Sequence, residues 1–138
     1  MKTKKQIGDL GEDLAEKYLK KQGWRILSRN FRSKGGEIDI IGYRSGRLVY
    51  FEVKTRSDHS SGAPADAVDE RKLWHIKNVA RSFLSIYAKG NRIPVFYPLG
   101  ISLYRPIKGQ YIDIIEVYLT KKHELISINH IKDRENQL

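Results

Sequence analysis

The chain contains 138 residues, of which 26 are Lys or Arg and 16 are Asp or Glu, so its formal net charge is +10. A chain of this length and of average hydrophobic content is expected to fold as one domain, over residues 1–138. The lack of cysteine excludes disulfides, thiolate zinc sites and cysteine nucleophiles. No apolar run approaches the roughly 20 residues of a membrane helix, and the lysine-rich start leads into no signal-peptide core. We therefore expect a cytoplasmic protein with no membrane partner.

The positive charge is concentrated at the start of the chain. Residues 1–34 carry 10 basic and 4 acidic side chains, whereas residues 35–60 carry 4 of each. Such an excess is typical of proteins that bind a polyanion, but it also serves solubility alone. The charge by itself does not choose between these two explanations.

Hydrophobic periodicity predicts the first half of the fold. Apolar residues recur at helical spacing over residues 4–22, which predicts an amphipathic helix. Strands are expected over residues 24–31, 37–43 and 48–55, and the four residues between the last two predict a hairpin. The strand over 48–55 is apolar on both faces for most of its length, as expected for the centre of a sheet.

The second half is predicted to contain one more helix and further strands. The spacing of Asp66 and Asp69 favours a helix start there, and the apolar stripe that follows predicts about 20 helical residues. Residues 132–138 are expected to form a frayed tail. Alternation predicts strands over 93–97, 101–104 and 111–119, with a last strand or helical turn over 125–131. This order predicts an α/β domain in which a mixed sheet is flanked by two helices.

Three carboxylates lie in the predicted hairpin, although strand interiors disfavour Asp and Glu. With a two-residue turn at Ser45–Gly46, Asp39 faces Glu52 and Glu37 faces Lys54 across the two strands. Two acids that face each other repel, unless a divalent cation lies between them. The hairpin pattern therefore raises the hypothesis of a metal site.

The proposed ligands are hard oxygen donors of the kind that magnesium prefers. They are Asp39, Glu52, a main-chain carbonyl such as that of Val53, and water. Lys54 follows two residues after Glu52 on the same face, where it could polarise or deprotonate a water directed at a phosphate.

A structural alternative explains the same pattern without a metal. In it, Asp39 ends strand pairing at a bulge, Glu37 and Lys54 form a surface ion pair, and Glu52 faces solvent. The position of the acids at the end of a doubly buried strand, with Asp39 in the neighbouring strand, favours the metal site.

Three side chains on the helices could extend this site. Glu12 lies at the edge of the first helix's apolar face, where it either reaches a site beside the sheet or is an ordinary boundary residue. Lys72 lies within the apolar arc of the second helix and either contacts a phosphate or an active-site acid, or extends into solvent. Trp74 lies on a basic face that suits a nucleic-acid surface or the interface of a homodimer. The four histidines show no zinc spacing and are interpreted as non-ligands.

Several segments in combination match the pattern of a known family. They are Gly11-Glu12 with Ala15 and Leu19, Asn30-Phe31-Arg32, Gly36-Glu37-Ile38-Asp39-Ile40-Ile41 and Phe51-Glu52-Val53-Lys54-Thr55-Arg56, followed by Ala67-Val68, Lys72 and Ala80, and more weakly by Tyr111–Ile115 and His130–Lys132. With these segments the chain resembles the YraN-like family of small bacterial proteins. That family belongs to the restriction-endonuclease-like, or PD-(D/E)xK, superfamily, near the archaeal Holliday-junction resolvases.

The resemblance implies a restriction-endonuclease-like fold with a four- or five-stranded mixed sheet and a magnesium-dependent phosphodiesterase site, with manganese as the alternative ion. In that site Asp39 and Glu52 bind the metal, Lys54 activates water and Glu12 is an auxiliary acid. Auxiliary or substrate-binding roles are expected for Glu37, Arg56, Lys72 and Trp74.

The chain departs from the family pattern at two places. Tyr111-Ile112-Asp113 stands where the family usually has Arg-Phe-Asp, and residues 91–109 predict an extra hairpin. Neither departure touches the metal-site motif, but both could alter the substrate surface or the oligomer.

The leading hypothesis is a magnesium-dependent endonuclease that hydrolyses phosphodiester bonds in DNA, including branched or structured DNA. A non-catalytic nucleic-acid-binding or assembly module that retains the nuclease fold is the first alternative. A structural subunit that dimerises through the Trp74 face is the second.

Overall fold

The computed structural model describes residues 1–57, 69–133 and 138. Two helices, seven strands and one turn of 3₁₀ helix are present in these residues. In chain order they are α1 (Lys4–Lys21), β1 (Arg25–Ser33), β2 (Gly36–Arg44), β3 (Arg47–Ser57), α2 (Glu70–Tyr87), β4 (Arg92–Tyr97), the 3₁₀ turn (Pro98–Gly100), β5 (Ile101–Pro106), β6 (Gly109–Leu119) and β7 (Leu125–Asp133). Neither helix is long and apolar enough to cross a membrane.

The described strands form two sheets. Five of them lie in the spatial order β1-β2-β3-β6-β7, and only the β3–β6 pair in this sheet is parallel. The strands β4 and β5 form a separate antiparallel pair. The predicted mixed sheet with two helices is confirmed, as are the central position of β3 and the extra hairpin.

The helices cover opposite faces of the sheet. Ala15 and Leu19 of α1 pack with Val49 and Phe51 on one face, whereas α2 packs over Leu48 and the neighbouring residues on the other. The alternating residues of β3 therefore enter two separate clusters, as predicted. Burial of each large apolar side chain contributes roughly 1.5–3 kcal/mol, so a one-residue slip of β3 would cost much of both clusters.

The hairpin between β2 and β3 closes with the predicted two-residue turn. Ser45 and Gly46 have φ values of 49° and 85°, both in the left-handed region that a type I′ turn requires. The residues next to the turn, Arg44 and Arg47, are paired, and the register runs without a break to Ile40–Phe51.

Two predicted boundaries differ from the structure. The described part of α2 begins at Glu70, and the Asp69 carboxylate caps it by accepting a hydrogen bond of 2.7 Å from the Lys72 N–H; the predicted start at Asp66 lies outside the described residues. At the other end, β7 continues to Asp133, because Lys132 and Asp133 pair with β6. These two residues therefore belong to the sheet and not to the predicted tail.

Gly11 allows α1 to approach β3 closely. A Cβ atom at this position would overlap the Thr55 side chain, whereas a Cβ at Gly8, one turn earlier, would meet no atom within 4 Å. Glycine is otherwise unfavourable inside a helix. The close approach therefore explains Gly11, and it also brings the next residue, Glu12, to the edge of the sheet.

We predict opposite effects for alanine at these two glycines. Gly8→Ala should stabilise the protein by roughly 0.5–1 kcal/mol, because it only removes backbone freedom from the unfolded chain. Gly11→Ala should destabilise it by about 1–2 kcal/mol, because overpacking outweighs the same gain. Urea denaturation of the two variants measures the difference, and equal stabilisation by both would contradict the close approach.

Candidate active site

Asp39 lies at an irregularity in β2. Ile38 packs in the cluster under α2, but Ile40 packs in the cluster under α1. In a regular strand, residues two apart lie on the same face. The strand therefore turns over at Asp39, and the residue opposite on β1, Asn30, has a positive φ of 52°.

The irregularity replaces the predicted cross-strand pairs at this end of the hairpin. The β2–β3 register ends at Ile40–Phe51, so the expected pairs Asp39–Glu52 and Glu37–Lys54 lie beyond it. Instead, Asp39 Oδ2 accepts a hydrogen bond of 2.8 Å from the Val53 main-chain N–H. A side-chain carboxylate thus takes the place of a main-chain acceptor where the β2–β3 ladder ends, and acids cluster at the same point.

The Asp39 carboxylate lies in an unfavourable environment for its charge. Burial, together with the nearby charge of Glu52, raises the pKa of Asp39 from 3.8 to about 7. The hydrogen bond from Val53 lowers this pKa but does not offset the increase, and the charges of Glu12 and Glu37 raise it further. The other three acids predicted for the site therefore all act on Asp39.

Arg29 of β1 connects α1 to this group of acids. Its guanidinium lies 3.3 Å from Glu12 Oε1 and 3.2 Å from both Asp13 Oδ1 and Glu16 Oε1. Sequence reasoning did not select Arg29. The sequence indicated this arginine only indirectly. Glu12, Asp13 and Glu16 lie within about one turn of α1, with two of them at i, i+4, and such a group of acids needs a cation nearby.

On the α2 side, Lys72 contacts the second predicted metal ligand. Its Nζ lies 3.1 Å from Glu52 Oε1, from the first turn of the helix. Of the two alternatives for this lysine, the structure shows the contact with an acid. The contact places a positive charge next to the Glu52 carboxylate, whose own charge raises the pKa of Asp39.

Lys54 and Arg56 follow Glu52 along β3 and lie beside β6. Lys54 is in register with Glu116, and Arg56 Nε donates to Glu116 Oε2 at 3.1 Å. Glu116 is only 1% exposed and also accepts hydrogen bonds from Tyr118 and Asn129. A buried acid needs such partners. Arg56, predicted to assist substrate binding, is therefore bound to an acid that sequence reasoning missed, although a Glu within an apolar strand was a signal.

The remaining predicted residues lie at the surface. Glu37 pairs with Arg32 on the neighbouring strand, with Oε2 and Nε 3.4 Å apart. Trp74 is 62% exposed on the outer side of α2, as its position on a polar helix face predicts. A groove of about 470 Å³ runs beside Glu12 and Glu37 and is lined also by Asn30 and Arg32. Through this groove, Glu12 and Glu37 are open to solvent.

The donor chemistry of the site suits magnesium. Asp39, Glu52 and the Val53 carbonyl offer hard oxygen atoms, and a divalent cation would relieve the repulsion that raises the pKa of Asp39. In residues 1–57, 69–133 and 138, no group of three or more His, Cys, Asp or Glu side chains is already arranged around one metal position. The residues thus fit the ion by their chemistry, with main-chain and water ligands required in addition.

Comparison with known proteins identifies the family of the chain. A family model described as "Uncharacterised protein family UPF0102" matches residues 11–117. The chain belongs to this family. The match includes every residue that the sequence predicted for the site, and UPF0102 is the family that the resemblance to the YraN-like proteins indicated.

The relatives in UPF0102 cover most of the chain. A UPF0102 protein of Caldicellulosiruptor saccharolyticus is 38% identical over 131 residues, which are 95% of this chain and 98% of that protein. A UPF0102 protein of Clostridium beijerinckii is 38% identical over 132 residues, 96% of this chain and 94% of its own. A third, from Trichlorobacter lovleyi, is 48% identical over 85 residues, 61% of this chain and 67% of its own.

We predict that ionisation of Asp39 destabilises the metal-free protein. Because the folded-state pKa is raised to about 7 from 3.8, the folded state binds more protons than the unfolded state between these values, and stability falls as pH rises from about 4 through 7. Asp39→Asn removes this cost. In a chelating buffer, the variant should gain unfolding free energy over the wild type at pH 8 relative to pH 5.

Thermal or urea denaturation at both pH values measures this difference. Glu124→Gln, an exposed acid in the turn before β7, is the control and should show no such dependence on pH. A pH-independent difference between Asp39→Asn and the wild type would contradict the raised pKa.

Proposed function

We propose that this UPF0102 protein is a magnesium-dependent DNA endonuclease with a restriction-endonuclease-like fold. The observation that carries the proposal is the partly buried Asp39 carboxylate, which lies within β2 just beyond the end of the β2–β3 ladder, beside Glu52 and the main chain of Val53, with Lys54 next on β3. A strongly perturbed acid with a defined charged partner is typical of functional sites. The same arrangement serves no evident purpose in folding, since ionised Asp39 costs stability.

The topology supports the fold part of the proposal. The acidic hairpin β2–β3 lies at the centre of the sheet, between α1 and α2, and β6 extends it in parallel. Side chains from both helices converge on the end of the hairpin, through Glu12 on one face and Lys72 on the other. Such a scaffold positions a site on rigid elements.

The cofactor would be held by Asp39, Glu52 and the Val53 carbonyl. When bound, magnesium would stabilise the negative charge that develops on a phosphate under attack and lower the pKa of a water molecule.

The chain's own residues supply proton transfer and orientation. Lys54 is proposed to orient a water molecule and to accept or share its proton, as a positioned lysine can do in general base catalysis. Lys72 places an ammonium group beside Glu52, where it can also donate to a phosphate oxygen. Glu12 is held in place by Arg29 and adds negative charge beside Asp39.

The substrate is proposed to be DNA in the cytoplasm, including branched DNA. The net charge of +10 supports a polyanionic substrate, and such binding should weaken steeply with salt, because each phosphate contact releases counterions. Acids at the site exclude phosphates unless a cation is present, so the surrounding basic residues and the acidic centre have complementary roles.

We predict magnesium-dependent cleavage of labelled DNA by the wild-type protein. Duplex, single-stranded and four-way-junction substrates should be tested side by side. Asp39→Asn and Lys54→Met should each reduce the cleavage rate by about 100-fold or more, because each removes a group that acts on the reacting atoms. Electrophoresis of the end-labelled products measures the rates.

The matched control variants are Glu124→Gln and Lys17→Met, which change exposed residues and should retain wild-type rates. If cleavage were the same in Asp39→Asn, Lys54→Met and the wild type, the activity would belong to a contaminant and the proposal would be rejected.

We also predict that magnesium binding depends on pH. Since the metal competes with the proton on Asp39, its affinity should fall by up to about tenfold for each pH unit below the pKa near 7. Isothermal titration calorimetry at pH 8 and pH 6 measures the affinities. Asp39→Asn and Glu52→Gln should abolish the heat of binding.

This titration separates the nuclease from the non-catalytic module. A folded wild-type protein that binds DNA but gives no magnesium heat at pH 8, with or without DNA, would support the module that retains only the fold.

A further inference from the structure

A second charged feature lies at the opposite end of the sheet. A cleft of about 340 Å³, here called the turn-end cleft, lies between the start of β1, the β2–β3 turn and the end of β5. Four cationic side chains line it, and no acid is among the described residues that line it. The cations are Arg25, Arg44, Arg105 and Lys108.

The described residues do not neutralise the charge of this cleft. In the part of the chain that the structure describes, none of these four cations has a carboxylate within 4.0 Å. Four cations around the candidate active site differ from these, because each lies within 4.0 Å of a carboxylate. They are Arg29, Arg32, Arg56 and Lys72. The turn-end cleft is therefore a separate region of uncompensated positive charge.

Aromatic rings hold the arginines in place without removing their charge. The Arg25 guanidinium lies 4.9 Å from the centre of the Tyr97 ring, and that of Arg44 lies 5.1 Å from the Trp24 ring. Arg44 Nη1 also donates to the Gln22 carbonyl at 2.6 Å. Stacking leaves the remaining N–H donors of a guanidinium free to bind an anion.

The walls of the cleft are joined by hydrogen bonds. Tyr43 Oη donates to the Pro106 carbonyl at 2.8 Å, and the Lys108 main-chain N–H donates to the Gly46 carbonyl at 2.7 Å. These bonds attach the segment after β5 to the β2–β3 turn. The cleft is thus already formed in the free protein, which lowers the entropic cost of binding.

We propose that the turn-end cleft binds phosphate groups of a nucleic-acid backbone without a metal ion. Arg44 lies five positions after Asp39 along β2, which corresponds to about 17 Å at roughly 3.3 Å per residue. A duplex advances about 3.4 Å for each base pair, so a nucleic acid that reaches both places spans about five base pairs.

The choice of a nucleic acid as the source of the phosphates rests on the proposed function. The binding itself requires neither magnesium nor catalysis, so the two can be tested separately.

The test compares two triple variants of equal net charge. Arg25→Gln/Arg105→Gln/Lys108→Gln alters exposed side chains of the cleft, and Lys2→Gln/Lys4→Gln/Lys17→Gln alters exposed lysines in or before α1. Binding of a fluorescent DNA duplex is measured by anisotropy in a chelating buffer at several salt concentrations, after a thermal melt shows that each variant is folded.

The cleft variant should lose at least tenfold in affinity, and its salt slope should fall by about 2–3, since each phosphate contact contributes about 0.9. The control variant should lose less than about threefold. An equal loss in both variants would overturn the proposal, because it would assign binding to net charge alone.

Two further arms identify the source of the phosphate and separate this inference from catalysis. In the first arm, inorganic phosphate and a nucleoside triphosphate are added as competitors. The nucleic-acid source would be overturned if either one bound at micromolar concentration and the cleft variant lost that binding while its DNA binding was unchanged. Cleavage of the same DNA by the wild type is measured in parallel with magnesium present. If the wild type cuts no DNA but the cleft variant alone loses affinity, the nuclease proposal fails and this inference stands.

Discussion

The hydrogen bond from the Val53 main chain to the Asp39 carboxylate is the interaction on which the candidate site depends. It lies at the point where the β2–β3 ladder ends and where β2 turns over between its two hydrophobic clusters. Because a main-chain donor holds the carboxylate, Asp39 stays buried beside Glu52 despite the repulsion between them. The end of the ladder and the repulsion at the site therefore both lie at this hydrogen bond. A bound cation would offset the repulsion between the Asp39 and Glu52 carboxylates.

The distribution of charge divides the molecule into two ends. At the end of the candidate site, cations and acids are interleaved, so that Arg29, Arg56 and Lys72 each neutralise a carboxylate. At the turn end, arginines stack on aromatic rings and keep their charge. Ion pairs orient side chains for chemistry, whereas uncompensated charge attracts a polyanion. Under the proposed function, the first end would serve the reaction and the turn end would bind the same extended ligand.

Much of the architecture could be predicted because local sequence patterns determine it. The two helices, the central strand and the two-residue turn at Ser45–Gly46 follow from periodicity and turn chemistry, which depend on neighbours in sequence. The same patterns selected Asp39, Glu52 and Lys54, since acids are unusual at the end of a doubly buried strand. The predicted pairs Asp39–Glu52 and Glu37–Lys54 lie beyond the end of the β2–β3 ladder. An extrapolated register assumes a regular strand, and the irregularity at Asp39 has no local signature.

The sequence by itself determined which residues form the helices and strands, which faces of β3 are buried, and that three acids lie in one hairpin, because each is a property of local spacing. Only the tertiary structure decided which charges meet. Arg29 and Glu116 acquire their roles from segments far away in sequence, and the turn-end cleft joins residues near positions 25, 44 and 105. Long-range packing brings these groups together, and no local spacing encodes such contacts.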